Sequence, residues 1–107
     1  LIERSIANSL AFGVYDARQQ VGFARVITDY ATFAYVADVF VVSAARGRGL
    51  SKWLLETIVQ HPTLQGLRRW LLATRDAHGL YEQQGFTPLT RPDHWMERFT
   101  KTDLPRC

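Results

Sequence analysis

The feature of this sequence that most constrains its fold is an apolar segment that leads through a glycine-containing loop into an amphipathic helix. Residues 33–42 (FAYVADVFVV) are apolar on both faces, which is typical of a central β-strand. Residues 43–49 (SAARGRG) form the loop, and residues 50–60 have helical periodicity. Three apolar side chains share one face of that helix: Leu50, Leu54 and Ile58. The passage therefore predicts a sheet whose central strand is followed directly by a helix.

Short strands and helices are predicted on both sides of this passage. In chain order they are helix 1–9, strands 10–15, 21–28 and 33–42, helix 50–60, strand 67–74, helix 76–84, and strands 86–89 and 95–99. Short turns join the first three strands, so they form an antiparallel meander. The order α-β-β-β-α-β-α-β-β indicates an α+β domain with a mixed sheet.

Length and composition narrow the class of protein further. A chain of 107 residues with 47% hydrophobic and 21% charged residues is expected to form a single folded domain, residues 1–107. No apolar run approaches the ~20 residues of a membrane span, so no membrane partner is expected. The only cysteine is Cys107 and no leader is visible at residues 1–4, so we expect a cytoplasmic protein without a disulfide framework.

The positive charge is concentrated in the loop and the start of its helix. The chain has 13 basic and 10 acidic residues, a net charge of +3. Three of the basic residues, Arg46, Arg48 and Lys52, lie between Asp38 and Glu56, and no acidic residue lies among them. The rest of the chain therefore has ten basic and ten acidic residues. A nucleic-acid binder usually spreads its charge along a face, so no nucleic-acid partner is expected. A compact basic loop suits a compact anion such as a phosphorylated cofactor, although a solvated loop is the plainer interpretation.

Two glycines make this loop suitable for binding a pyrophosphate. Gly47 and Gly49 allow close approach of the backbone to a ligand, and the helix that follows presents free N–H groups and a positive dipole end. A dinucleotide fingerprint would need a third glycine at position 52, which is a lysine. The Gly-Lys-Ser/Thr of a Walker loop is also absent.

Three segments resemble the GNAT superfamily of N-acetyltransferases, and the resemblance extends from about Leu10 to Phe99. Residues 38–42 (DVFVV) resemble the family's splayed fourth strand, and residues 46–51 (RGRGLS) resemble its acyl-coenzyme A loop. Residues 76–86 (DAHGLYEQQGF) resemble its later LYEKxGF segment. The resemblance implies a central, mostly antiparallel, twisted sheet with a splayed strand pair, flanked by helices. It also implies direct transfer of acetyl from acetyl-CoA, as co-substrate, to a primary amine of a small molecule or peptide in a ternary complex.

The resemblance assigns roles to individual residues. Tyr81 is the candidate general acid for the leaving thiolate. Asp38 is the candidate base because of its own position, since an acid in an apolar strand is costly unless it is paired or useful. A bulge of the splayed strand is expected to free a backbone N–H near Val41 or Val42 that polarises the thioester carbonyl. The expected cofactor-binding residues are Phe40, Val41, Val42, Arg46, Gly47, Arg48, Gly49, Leu50, Ser51, Lys52, Asp76, His78 and Tyr81. Plainer interpretations are a half-buried packing tyrosine for Tyr81 and a carboxylate bonded to structure or solvent for Asp38.

The chain departs from the family pattern at three places. Ser51 replaces a smaller glycine or alanine, and Asp76 stands where many relatives have asparagine. Relatives also have a strand and one or two helices before the first strand seen here, so we expect an N-terminally shortened domain whose acceptor site is incomplete. A non-catalytic acyl-CoA-binding module is therefore the alternative function, and a basic nucleic-acid or protein interaction domain is a third.

Two further expectations concern metals and self-association. The three histidines, His61, His78 and His94, lack metal-ligand spacing, so no metal is expected. A trimmed sheet edge could favour a homodimer.

Overall fold

The computed structural model describes residues 2–100, apart from the side chain of Ile2. Its helices are α1 (Ile2–Ala7), α2 (Leu50–Gln60) and α3 (His78–Glu82), and its strands are β1 (Leu10–Asp16), β2 (Gln19–Thr28), β3 (Phe33–Val41) and β4 (Arg69–Leu72). Short 3-10 turns lie at Ser43–Ala45, Pro62–Leu64 and Pro92–His94. None of the helices in the described part is long and apolar enough to cross a membrane.

The four strands form one sheet in the order β1-β2-β3-β4. The first three are antiparallel neighbours, as the meander prediction requires, and β4 runs parallel to β3. The fold is therefore α+β with a mixed, mostly antiparallel sheet flanked by helices, as predicted.

Helix α2 covers one face of the sheet and supplies the centre of the core. Its residues Leu54, Leu55 and Ile58 are buried, and they belong to the same apolar cluster as Val26 of β2. Tyr81 of α3 joins this cluster. The apolar face that the helical spacing predicted is thus the face that packs on the sheet.

A bulge interrupts β3 halfway along its length. Phe23 of β2 lies opposite Phe40, but Arg25 lies opposite Ala37, so two residues of β3, Asp38 and Val39, face a single residue of β2. Asp38 has a φ of 56°, a left-handed conformation that is rare for residues with a side chain. A bulge of this kind bends the strand and locally ends regular pairing.

Strands β3 and β4 part just before that bulge. Their paired register ends at Val36 and Leu72, where β4 itself ends, whereas β3 continues to Val41. Among residues 2–100, no strand therefore pairs with the C-terminal half of β3 on the side of β4. This parting corresponds to the predicted splayed strand pair.

The prediction of two final strands, over 86–89 and 95–99, is wrong. Residues 86–100 contain a 3-10 turn at Pro92–His94 and otherwise irregular chain. Pro88 cannot donate to a strand ladder, and the ring of Trp95 lies under the guanidinium of Arg69, with 4.8 Å from the Arg69 Cζ to the ring centroid. The helix predicted over 76–84 is also shorter, since α3 begins at His78.

Candidate active site

The parting of β3 and β4 opens a gap with a volume of about 1060 Å³. Both faces of β3 contribute to its wall, so the gap passes between the strands rather than lying on one side of the sheet. The lining residues are Tyr35, Val36, Ala37, Asp38, Val39, Ala73, Thr74, Arg75, Asp76, Ala77 and Tyr81. Three predicted site residues, Asp38, Asp76 and Tyr81, are brought together here from distant parts of the chain.

Tyr81 lies between the core and the gap. Its ring packs edge-to-face on Phe86, with centroids 5.9 Å apart. The Tyr81 hydroxyl makes no hydrogen bond within residues 2–100. Every fully buried side-chain oxygen or nitrogen in this part of the chain has a hydrogen-bond partner. The Tyr81 hydroxyl oxygen is therefore not fully buried and keeps contact with open space. Burial raises the pKa of the Tyr81 phenol above its usual value of 10.0. The phenol is therefore protonated at neutral pH and can act as a proton donor.

Asp38 is bonded to the structure, as its plainer interpretation predicted, through an ion pair with Arg25. Its Oδ2 lies 2.9 Å from the Nε of Arg25 on the neighbouring strand, and the two side chains are only 25% and 11% exposed. The other carboxylate oxygen, Oδ1, has no hydrogen-bond partner among the described residues. One oxygen of Asp38 is thus fixed while the other remains available at the gap.

The backbone of β3 presents N–H groups to the gap. The Val42 N–H donates to the Val21 carbonyl at 2.8 Å, so it points to β2 and is not available for a ligand there. Successive N–H groups of a strand point to opposite edges, so those of Val41 and Val39 point away from β2. Of these two residues, Val39 lines the gap. The bulge itself lies at Asp38 and Val39, earlier in the strand than expected.

The loop before α2 has the backbone conformation that its glycines predicted. Gly47 and Gly49 have φ values of 84° and 73°, and a Cβ at either position would meet no atom within 4 Å. Gly49 is also the N-cap of α2, and no side chain caps the helix there. The first N–H groups of α2, from Leu50, Ser51 and Lys52, therefore have no partner among the described residues and can bind an anion.

The three basic residues of this segment have different partners. The Arg46 Nε donates to the Val41 carbonyl at 3.0 Å, which ties the loop to the end of β3. Arg48 pairs with Asp16 of β1 at 3.0 Å, but both side chains are more than half exposed. Such an exposed ion pair contributes about 0–1 kcal/mol to stability, so Arg48 can leave Asp16 and bind another anion. Lys52 is exposed and has no partner in the described part of the chain.

Of the predicted cofactor residues, only Asp76 and Tyr81 line the gap. The others lie outside it: Phe40, Val41, Val42, Arg46, Gly47, Arg48, Gly49, Leu50, Ser51, Lys52 and His78. The Phe40 side chain packs against Phe23 on the sheet face away from α2, with ring centroids 6.1 Å apart. His78 lines a smaller neighbouring cavity of about 280 Å³, which shares Tyr81, Ala73 and Thr74 with the gap. Neither position excludes contact with a long ligand.

Sequence reasoning missed Arg25, Tyr35, Thr74 and Arg75. Arg25 had a visible sign, because a charge inside the apolar strand VGFARVIT needs a partner. The other three become neighbours only once the register of β3 and β4 is known. The described residues hold no group of three or more histidine, cysteine, aspartate or glutamate side chains that could bind a metal.

Comparison with known proteins identifies one family. Residues 7–88 match the family described as Acetyltransferase (GNAT) domain. The structure superposes on that of a protein of Xanthomonas campestris pv. campestris described as belonging to the GNAT family, with a TM-score of 0.89 and 56% identity. That match covers 92% of this chain and 70% of the other.

Two further relatives extend the comparison. "Putative acetyltransferase FG08082" of Gibberella zeae is 32% identical in a match covering 72% of this chain, and the chain spans 54% of that protein's length. A GNAT family acetyltransferase of Elizabethkingia anophelis, solved with acetyl-CoA bound, has a TM-score of 0.69 at 12% identity. The match covers 94% of this chain and 71% of the Elizabethkingia anophelis chain. At 12% identity, this similarity shows only that the two proteins share a fold.

Proposed function

The chain belongs to the GNAT family of acetyltransferases, and from this we propose that it transfers acetyl from acetyl-CoA directly to a primary amine within a ternary complex. The observation that carries the proposal is the gap between β3 and β4, with Tyr81 on its wall and the loop of residues 46–51 following β3. The acceptor is proposed to be a small molecule or a peptide.

The donor is proposed to bind along the C-terminal half of β3 on the side of β4, with its phosphates at the N-terminus of α2. The uncapped N–H groups of Leu50, Ser51 and Lys52 and the side chains of Arg48 and Lys52 supply hydrogen bonds and charge for a pyrophosphate. The positive φ values of Gly47 and Gly49 leave open space where the phosphates would approach. The Elizabethkingia anophelis protein, which shares this fold, carries acetyl-CoA, and that supports the same donor here.

Polarisation of the thioester carbonyl is assigned to the β3 backbone at the bulge. The Val39 N–H is proposed as the main donor, because Val39 both belongs to the bulge and lines the gap. Loss of one preorganised N–H that stabilises the developing negative charge lowers kcat by roughly 10²–10³-fold. The Val41 N–H, two residues further along the same edge, is proposed to hold the pantetheine arm.

Two side chains are proposed to move the protons. Tyr81 donates its phenolic proton to the leaving thiolate, and its raised pKa keeps that proton in place at neutral pH until it is needed. Asp38 accepts a proton from the acceptor's ammonium group through its Oδ1, directly or through a water. The amine nitrogen then attacks the carbonyl carbon, and as the C–S bond breaks the leaving thiolate takes the Tyr81 proton. The nitrogen loses its second proton as the amide forms, and this proton restores the Tyr81 phenol.

Calorimetric titration with acetyl-CoA, coenzyme A and S-acetyl-pantetheine tests the donor site. We expect one molecule of either coenzyme per chain and much weaker binding of acetyl-pantetheine, which lacks the phosphates. An assay of thiol release with a panel of primary amines then tests turnover. Binding without turnover on any amine would favour the non-catalytic module, and no binding of either coenzyme would refute the proposed function.

We also propose a cytoplasmic location and a homodimer. The single cysteine among 107 residues fits a reducing compartment. Strands β1 and β4 are the outer strands of the described sheet, and such edges can pair with a second copy. Light scattering of the purified protein measures the oligomeric state directly.

A further inference from the structure

We propose that Arg25 is a positioning residue of this site, a role that rests on the proposed function. From β2 it fixes the carboxylate of Asp38 and, through it, the bulge that aims the β3 backbone into the gap. Arg25 does not line the gap, whereas Asp38 does. Its effect on the reaction is therefore exerted through Asp38.

The guanidinium of Arg25 is held on two sides. Its Nε donates to Asp38 Oδ2 at 2.9 Å, and a terminal nitrogen donates to Ser9 Oγ at 3.1 Å. The Ser9 hydroxyl in turn donates to the Ser5 carbonyl at 2.6 Å, so the chain of hydrogen bonds ends on the backbone of α1. Three elements, α1, β2 and β3, are thus connected at the bulge.

The Arg25–Asp38 ion pair is more deeply buried than the other ion pairs of the described residues. The Arg25 and Asp38 side chains are 11% and 25% exposed, whereas those of Arg48 and Asp16 are 51% and 57% exposed at a similar distance. Water screens the exposed pair and allows its side chains to move. A carboxylate as shielded as that of Asp38 depends much more on its partner, because loss of the partner leaves a partly buried charge alone.

The ion pair lies at the position where β3 is sterically least favourable. Asp38 has a φ of 56°, which brings its Cβ close to the following carbonyl, although aspartate tolerates this better than most residues. Arg25 faces Ala37, the residue before the bulge, so its side chain reaches across to the irregular position. The pair therefore holds in place a conformation that β3 would not adopt from its own preferences.

The bulge determines which backbone groups face the gap. One extra residue in a strand reverses the edge to which each following N–H points. With Asp38 inserted, the Val42 N–H donates to the Val21 carbonyl. Because N–H groups alternate along a strand, those of Val39 and Val41 then point away from β2. If Asp38 leaves its left-handed conformation, the first direction to change is that of the Val39 N–H, the proposed donor to the thioester carbonyl.

The test compares Arg25→Met with Ile27→Ala, a control on the same face of β2 whose partner in β3 is Tyr35 and not a residue next to the bulge. We expect Arg25→Met to bind coenzyme A like the wild type, because the phosphate loop is built by other residues. Its kcat should fall by about 10²-fold, the usual effect of a misplaced backbone donor. In the free protein, the amide NMR signals of Val39 and Val41 should shift, whereas Ile27→Ala should leave both readouts unchanged.

Arg25→Lys keeps the test decisive if Arg25→Met does not fold. Lysine retains the charge but lacks the planar fork that serves Asp38 and Ser9 together, so an intermediate kcat and intermediate amide shifts are expected. Wild-type kcat and unshifted Val39 and Val41 amides in a folded Arg25 variant would overturn the proposal. If the wild type binds no coenzyme, the proposed function fails, and the amide shifts alone then decide whether Arg25 holds the bulge.

Discussion

Substitution of Gly49 separates the conformational role of this glycine from its role in ligand binding. Its φ is 73°, and an added Cβ would meet no atom within 4 Å, so alanine there costs only backbone strain. That cost is about 1–2 kcal/mol for a residue with a side chain in the left-handed region. For a domain of this size each kcal/mol lowers Tm by roughly 4–8 °C. Gly49→Ala should show this loss in thermal unfolding followed by circular dichroism.

Gly49→Asn is the more informative variant. Asparagine tolerates the left-handed conformation, so its stability loss should be smaller than that of Gly49→Ala. Its side chain can accept hydrogen bonds from the first N–H groups of α2, the same groups proposed to bind the coenzyme phosphates. Loss of one charge-assisted hydrogen bond is worth about 1.5–3 kcal/mol, which corresponds to roughly a tenfold to hundredfold rise in the Kd for coenzyme A.

A matched control is available at Gly66. It has a similar φ of 78° and equally open surroundings, but it lies just before β4 and is not part of the proposed site. Gly66→Asn should have a comparable effect on Tm and none on the Kd for coenzyme A. If Gly49→Asn binds coenzyme A as tightly as Gly66→Asn does, the phosphates are not bound at the N-terminus of α2.

Three other substitutions test separate parts of the account. Tyr81→Phe should retain the wild-type affinity for acetyl-CoA in calorimetry and lose turnover by about 10²–10⁴-fold, the usual contribution of a positioned proton donor; wild-type turnover would remove its role as the acid. Leu55→Ala empties a fully buried position of α2 and should lower the free energy of unfolding by about 2–5 kcal/mol in urea titrations; a loss below about 1 kcal/mol would place Leu55 outside the core. The Thr32 hydroxyl, with the Thr32 and neighbouring backbone N–H groups, holds the pKa of Asp29 well below its usual range. This carboxylate therefore stabilises the folded state above about pH 4 and loses that effect as the pH falls further. Asp29→Asn should lower Tm at pH 7, and its difference from the wild type should shrink on acidification; a difference independent of pH would contradict this.

The sheet strands and α2 could be read from the sequence because their patterns agree with their packing. Residues 50–60 were predicted as a helix and form one over the same residues, since their apolar stripe faces the core. The three strands of the meander were placed within two residues of their ends. The prediction failed for residues 86–89 and 95–99, where apolar content suggested strands. Pro88 and the stacking of Trp95 under Arg69 are local features that outweigh strand propensity.

The site could be predicted from the sequence only where its residues are contiguous in one segment. The loop of residues 46–51 contains its glycines, charges and helix start in sequence, so its backbone angles could be anticipated. The Arg25–Asp38 pair joins residues 13 positions apart, and it forms only because of the register of β2 and β3 at the bulge. Register depends on packing of the whole sheet, so a single strand's sequence does not reveal it.

The central claim is that acetyl-CoA lies in the gap between β3 and β4 with its phosphates at the start of α2. Amide chemical shifts of the ¹⁵N-labelled protein during titration with acetyl-CoA test this most directly. The account predicts saturable shifts concentrated in three segments: residues 38–41, 47–52 and 74–81. Shifts confined to β1, or to the separate cavity that is lined by Trp70, Phe86 and Trp95, would contradict it.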